Sequence, residues 1–178
     1  MIYSNPNIES SYKENNLGKV LYDIVLDVKP RTIVEFGALN GYSAVCMAMA
    51  LHEIGKGHII SYDLWTKYPH RNATMIDAKR NAEKYGVADF ITFAEGDFYE
   101  WDGEPFDLLH VDISNDGDII DLLEDKVRKS KGIVIFEGGS AERDKVEWVT
   151  KYNKRPIGDS HASYKIISHS FPSLSQLI

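Results

Sequence analysis

Leu17, Val20, Leu21, Ile24, Val25 and Val28 recur three and four residues apart, so one face of this stretch is apolar and a helix is predicted. It stops at Lys29-Pro30, because the residue before a proline is pushed out of the helical region. Short apolar runs bounded by turn residues then predict strands at Thr32–Phe36, His58–Asp63, Phe90–Ala94, Phe106–Asp112, Gly132–Glu137, Ser163–Ser168 and Ser173–Ile178. Helical patterns separate the first five of these: Tyr42–Glu53, Pro69–Tyr85 with Gly86 as its stop, and Asp118–Lys129 with Ile119, Leu123 and Val127 in line. The gap from Phe98 to Pro105 reads as a turn. Strands alternating with helices of this length predict βαβ units. The expected fold is therefore α/β, a doubly wound, mostly parallel sheet of seven strands covered on both faces. The tail SYKIISHSFPSLSQLI breaks the alternation with two strand-like runs about a Phe-Pro-Ser joint, which predicts a terminal hairpin with an antiparallel last strand.

Composition adds limits. The 178 residues, 43% hydrophobic, suit one domain, and no repeat or linker divides them: residues 1–30 form a lead-in helical region and 31–178 the core. A net charge of -7 argues against nucleic acid as a partner, since such binding draws on Lys and Arg neutralising phosphates. The single cysteine, Cys46, offers no disulfide or zinc framework, which suits a reducing cytoplasm. The polar opening MIYSNPNIESSYKENN lacks the apolar core of a signal peptide, and the apolar run Ala44–Leu51 is too short to cross a membrane, which takes about 20 residues. A soluble protein is expected.

In open α/β sheets, ligands sit beyond the carboxyl ends of the strands where strand order reverses. Those ends carry Glu35 with Gly37 and Gly41, then Asp63, Asp97, Asp112 and Glu137: five strands end in acid. The stretch TIVEFGALNGYSA limits what such a rim holds. A dinucleotide fingerprint needs a second glycine where this chain has Leu39, and a P-loop needs Gly-Lys-Ser/Thr where it has Gly41-Tyr42-Ser43. A ligand with an amino-acid end, a ribose and an adenine, but no phosphate, tolerates Leu39 and uses the acids. S-adenosylmethionine is such a molecule, and its sulfonium suits a negative, aromatic-lined site.

EFGALNGYSA, followed by YDLW, EGDF, LLHVDISND and KGIVIFEGG, resembles the class I S-adenosylmethionine-dependent methyltransferases, whose fold is Rossmann-like. The similarity is greatest to small-molecule O-methyltransferases of the catechol and caffeoyl-CoA type and their bacterial relatives. It runs over nearly the whole chain. The resemblance implies that Glu35 and the backbone of Gly37, Ala38, Gly41 and Tyr42 meet the methionine end of the cofactor, with Ser43 on its carboxylate. It places Asp63 on the ribose hydroxyls, Leu64 or Trp65 over the adenine, Asp97 and Phe98 at its amino group and edge, and Asp112 beside the methionine ammonium. Trp65 and Phe98 read equally as core aromatics.

Transfer to a hydroxyl needs in-line positioning and removal of a proton. Asp112 and Glu137, on strands that the family sets side by side, are the catalytic candidates, either as a base or as partners in holding a divalent metal. Metal-dependent members follow the fifth strand with two adjacent ligands and often carry Lys or His three residues past the Asp112 position. Here stand Glu137-Gly138-Gly139 and Asn115, and two carboxylates fall short of the roughly six oxygens a hard cation takes. His110 shares the side of its strand with Asp112 and reads as a buried, hydrogen-bonded residue before a general base. The acceptor is a small molecule of unspecified kind. Short loops at 114–117 and 138–144 imply a shallow pocket or one completed by a second copy in a homodimer. Two other readings stay open from sequence: a nucleotide-cofactor oxidoreductase or hydroxylase-like protein on the same sheet, and a cofactor-binding protein that has lost catalysis.

Overall fold

The structure, a computed structural model, describes residues 2–65 and 73–178. In chain order its main elements are α1 (Leu17–Val28), β1 (Thr32–Phe36), α2 (Tyr42–Ile54), β2 (His58–Asp63), α3 (Met75–Lys84), β3 (Ile91–Glu95), β4 (Leu108–Val111), α4 (Gly117–Val127), β5 (Ile133–Glu137), α5 (Glu147–Lys151), β6 (Tyr164–Ser168) and β7 (Leu174–Leu177). The seven strands form one sheet in the order β3-β2-β1-β4-β5-β7-β6. The first five are parallel, and β7 runs antiparallel to β5 and β6. The fold expected from the alternation, with its reversed last strand, is the one observed. Strand order reverses between β1 and β4, which marks the rim where a ligand belongs.

Side chains alternate across each strand, and two apolar cores result. Ile33, Ile59 and Leu108 face the layer of α1, α2 and α3, while Val34, Leu109 and Phe136 face α4. Helix α2 is buried from Tyr42 to Leu51, because α1 covers its outer side. The approach is close enough that a Cβ at Gly18 would stand 2.4 Å from the Cys46 sulfur. Cys46 is thus a core thiol, which burial pushes up to about 12.

Several boundaries differ from expectation. Helix α3 starts at Met75 behind a capping box in which Thr74 and Asp77 exchange hydrogen bonds. The predicted start at Pro69 lies outside the described residues. Strand β4 is shorter than predicted at both ends, and the short α5 had no periodicity long enough to announce it. Residues 98–101 form the expected turn, with Trp101 N–H donating to the Phe98 carbonyl. Among the described residues no helix is long and apolar enough to cross a membrane.

Candidate functional site

The parallel register builds the site. Glu35 of β1 lies between Ser61 of β2 and His110 of β4, so these three side chains form one row on the α1–α3 face. Two residues further along come Asp63, Gly37, Asp112 and Glu137, on the same face by alternation. The acids at the rim therefore occupy two tiers. Asp63, Asp112 and Glu137 stand at the tip; Glu35 stands one tier below, and Gly37 takes the tip position of β1.

The lower tier is dry. Ser61 Oγ donates to Glu35 Oε2 at 2.5 Å, Glu35 Oε1 meets His110 Nδ1 at 3.0 Å, and His110 Nε2 meets the Tyr12 hydroxyl at 3.2 Å. Glu35 is 0%, His110 1% and Tyr12 1% exposed. The resemblance to the methyltransferases implied direct contact of Glu35 with a methionine end. In the structure both its oxygens are engaged and it lines neither opening described below. His110 is buried and hydrogen-bonded, as its position suggested. Tyr12 had no motif to mark it: it lies 98 residues from its partner, on the segment that precedes α1.

Gly37 explains the tier shift. Its φ is +99°, and a Cβ on it would stand 1.9 Å from the Asp112 carbonyl oxygen. Only glycine lets β1 and β4 come together at this point. The loop beyond is stitched to β2: Asp63 accepts Leu39 N–H at 2.8 Å through Oδ2 and Trp65 N–H at 2.9 Å through Oδ1, and Trp65 Nε1–H donates to the Leu39 carbonyl at 2.9 Å. Asp63 remains half-exposed, and two carboxylate oxygens have about four acceptor positions, so it keeps capacity for a ligand. Leu64 beside it is half-exposed. Trp65 is buried against Phe93 and belongs to the core. Phe98 does too, packed on Phe36 and Trp101, whereas Asp97 before it is half-exposed. Ala38 and Ser43 are buried at the base of the loop. Gly41, with φ +82°, turns the chain into α2, whose first backbone N–H groups have no partner within the helix. Tyr42 is buried, its hydroxyl donating to Asn5 Oδ1 at 2.6 Å, so it anchors the N-terminal segment.

At β5 the structure supplies a residue that sequence reasoning missed. Arg143 grips Glu137 with both arms of its fork, Nε–Oε1 2.5 Å and Nη2–Oε2 3.0 Å, and its Cζ lies 4.8 Å from the Trp148 ring centre. An arginine in a polar loop reads as surface, and nothing in the spacing says otherwise. Burial first, then the Asp112 carboxylate, push Glu137 up to about 7, against the opposing Arg143. Burial also raises Asp112, while His110, Tyr12 and Arg143 oppose that rise. The donor set does not fit a divalent cation. Both oxygens of Glu137 are committed to the guanidinium, Gly138 follows it, and among the described residues no three His, Cys, Asp or Glu side chains are grouped to hold an ion.

Two openings flank the tip. A groove of about 310 Å³ is lined by Phe36, Tyr62, Gly96, Asp97, Glu100 and Trp101. A cavity of about 40 Å³ lies between the strap residues Glu9–Tyr12 and the loop Gly37–Ser43, with Asp112 at its wall.

Comparison with known proteins agrees with this geometry. Residues 34–137, more than half of the chain, match a family described as a methyltransferase domain. No curated protein matches. Solved structures share the fold. The O-methyltransferase TomG from Streptomyces achromogenes, in complex with SAM, is 20% identical with a TM-score of 0.60 over 94% of this chain and 86% of that one. The O-methyltransferase from Bacillus cereus in complex with SAH is 17% identical, with a TM-score of 0.59 over 98% and 84%. An RNA methyltransferase from Salinibacter ruber, in complex with S-adenosyl-L-homocysteine, is 13% identical, with a TM-score of 0.59 over 90% and 88%. At such identities the likeness is one of fold, and the fold alone does not select an acceptor. The family match runs from Val34 in β1 through the glycine loop and the acids to Glu137, and on that match the chain belongs to the methyltransferase-domain family.

Proposed function

We propose that the protein transfers a methyl group from S-adenosylmethionine to an oxygen of a small-molecule acceptor. One observation carries this reading: a half-exposed carboxylate, a glycine loop without a dinucleotide or P-loop pattern, an open helix N-terminus and a second carboxylate converge on the rim where strand order reverses. Asp63 takes the ribose hydroxyls. The adenine, with Leu64 near it, enters the groove at Asp97 that Phe36, Tyr62 and Trp101 line. Ser43 and the first turn of α2 receive the methionine carboxylate, and Asp112 faces the ammonium.

The cavity under the strap has room for little more than a water molecule. Glu9–Tyr12 therefore move outward to admit the methionine end. Chemistry then asks for alignment of the acceptor oxygen with the methyl carbon and sulfur, and for a place to put the acceptor's proton. Asp112 is the base, because it borders the cavity while Glu137 is tied to Arg143. Leu39 disfavours a dinucleotide, and the net charge of -7 disfavours a polyanionic acceptor. The acceptor side, between the short loops after β4 and β5, is completed by a second copy of the chain; sedimentation equilibrium checks that.

Titration calorimetry tests the cofactor. Heat is expected with S-adenosylmethionine and with S-adenosylhomocysteine, and none with NAD. Silence with both sulfur compounds at millimolar concentration overturns the reading. Transfer of labelled methyl to a panel of phenols and catechols, with RNA as the competing acceptor, tests the acceptor class.

A further inference from the structure

Asp112 and Glu137 stand side by side at the ends of β4 and β5, each one residue past the paired Val111 and Phe136. Carboxylates on neighbouring strands, about 4.8 Å apart, call for a cation. We propose that the Arg143 guanidinium stands in for the divalent cation of the metal-dependent members, and that the acceptor needs only one hydroxyl, not the chelating pair a metal would use. This rests on the O-methyl-transfer reading above.

Each position that could serve a metal is already spent. Glu137 gives both oxygens to Arg143, at 2.5 and 3.0 Å, in a fork that a lysine could not match. The guanidinium is fixed from its other sides too: its Cζ lies 4.8 Å from the Trp148 ring centre, and Arg143 N–H donates to Ser140 Oγ at 3.2 Å. Gly138 follows, where metal-dependent members place the second of two adjacent ligands. A Cβ there would stand 2.5 Å from Ile157 Cδ1 and 3.5 Å from Arg143 Cγ, and its φ of +106° favours glycine. The packing around Arg143 thus leaves no room for a second ligand. Asn115 is no reserve, because its Nδ2 donates to the Val111 and Glu137 carbonyls, both at 2.9 Å, and its own carbonyl accepts Arg143 Nη2–H at 3.4 Å.

The exchange of cation changes the chemistry. A divalent ion would balance both carboxylates, whereas a guanidinium balances one and leaves one negative charge for the ammonium. Arg143 Nη1 is buried and has no hydrogen-bond partner among the described residues, so water does not screen the charge there, and Arg143 acts on Asp112 as well as on Glu137. A metal polarises the oxygen it binds and helps to ionise it; a guanidinium tied to Glu137 has no open coordination position. The acceptor's proton therefore passes to Asp112 as its oxygen bonds to the methyl carbon and the carbon–sulfur pair returns to sulfur. A second hydroxyl beside the first has nothing to chelate.

The test uses the full chain with S-adenosylhomocysteine bound and manganese(II) as the probe, its free form read by electron paramagnetic resonance. Wild type is expected to hold no manganese between Asp112 and Glu137 at millimolar concentration. Arg143→Ala frees both carboxylates and is expected to bind manganese about 10-fold more tightly than wild type, a gain lost when Glu137→Gln is added. An arginine with only a structural role would give no such gain. A folded R143A without it overturns the proposal, and so does manganese binding in wild type that Glu137→Gln abolishes. Where R143A does not fold, wild type decides: methyl transfer is expected to persist in EDTA, with phenol and catechol used at comparable kcat/KM. Transfer that EDTA abolishes and magnesium restores, or that is confined to vicinal dihydroxy compounds, overturns the proposal. A wild type that methylates neither compound refutes the methyl-transfer reading, while the manganese titration still decides the cation.

Discussion

Gly37→Ala probes the contact on which the rim depends. Its Cβ would stand 1.9 Å from the Asp112 carbonyl oxygen and 2.7 Å from the carbonyl carbon, distances that no real Cβ sustains. Neither side can swing away easily, because Gly37 N–H is bonded to the Tyr62 carbonyl at 2.9 Å and Asp112 N–H to the Phe36 carbonyl at 2.8 Å. The tips of β1 and β4 would have to part. Backbone strain at positive φ costs about 1–2 kcal/mol, and forcing extra volume into a packed contact adds about 1–3 kcal/mol. Native stability is typically about 5–15 kcal/mol, so G37A spends a large fraction of it. Gly55→Ala is the control, since its φ of +77° imposes the backbone term while its Cβ meets nothing within 4 Å. Urea unfolding is expected to separate the two variants by about 1–3 kcal/mol, and calorimetry is expected to show S-adenosylhomocysteine binding lost in G37A and kept in G55A. Equal stabilities together with equal affinities would refute the close approach of Gly37 to Asp112.

Asp63→Ala is expected to weaken S-adenosylhomocysteine binding by about 1–3 kcal/mol; an unchanged affinity in calorimetry removes the ribose assignment. Arg143→Met leaves Glu137 as an uncompensated buried carboxylate, so urea unfolding is expected to show a loss of about 3–5 kcal/mol, most of it recovered when Glu137→Met is added. Glu137 also gives stability a pH dependence. Its folded value near 7 lies above the ordinary 4.5, so the native state binds more protons than the unfolded chain between those limits. Its contribution is full below about pH 4.5 and fades as pH rises through about 7, amounting to about 3 kcal/mol. Asp112, also raised, adds in the same direction. Thermal melts from pH 5 to 8 are expected to fall with rising pH in the wild type and to flatten in Glu137→Gln.

Much of the site was legible because βαβ geometry brings the carboxyl ends of parallel strands to one rim whatever the side chains are. Glu35, Asp63 and Asp112 could be placed near each other from strand periodicity alone. Their depth could not. Whether the tip of β1 falls at residue 35 or 37 depends on a backbone contact with Asp112, a residue 75 positions from Gly37, and local pattern carries no such information. The same holds for the aromatics: Trp65 and Phe98 follow strand-end acids as cofactor-covering rings would, and only packing against Phe93 and Trp101 shows them to be core. The capping box Thr74-Met75-Ile76-Asp77 was present in the sequence and would have marked the start of α3. Arg143 and Tyr12 had no such signal, since each becomes part of the site only through a fold-dependent approach.

The two tiers also explain how so many carboxylates share one sheet end. Asp63 is half in solvent, where water and two backbone N–H groups hold its charge. Glu35 is dry and draws its support from Ser61 and His110. Between them Asp112 and Glu137 press on each other, and Arg143 supplies one cation to the two. Charge in that middle zone is left short of a positive partner. A ligand bringing an ammonium and a sulfonium answers this deficit, and once the methyl has left, the neutral sulfide answers it less well. On the proposed reading, the electrostatics that draw the cofactor in weaken after transfer, which favours release of the product.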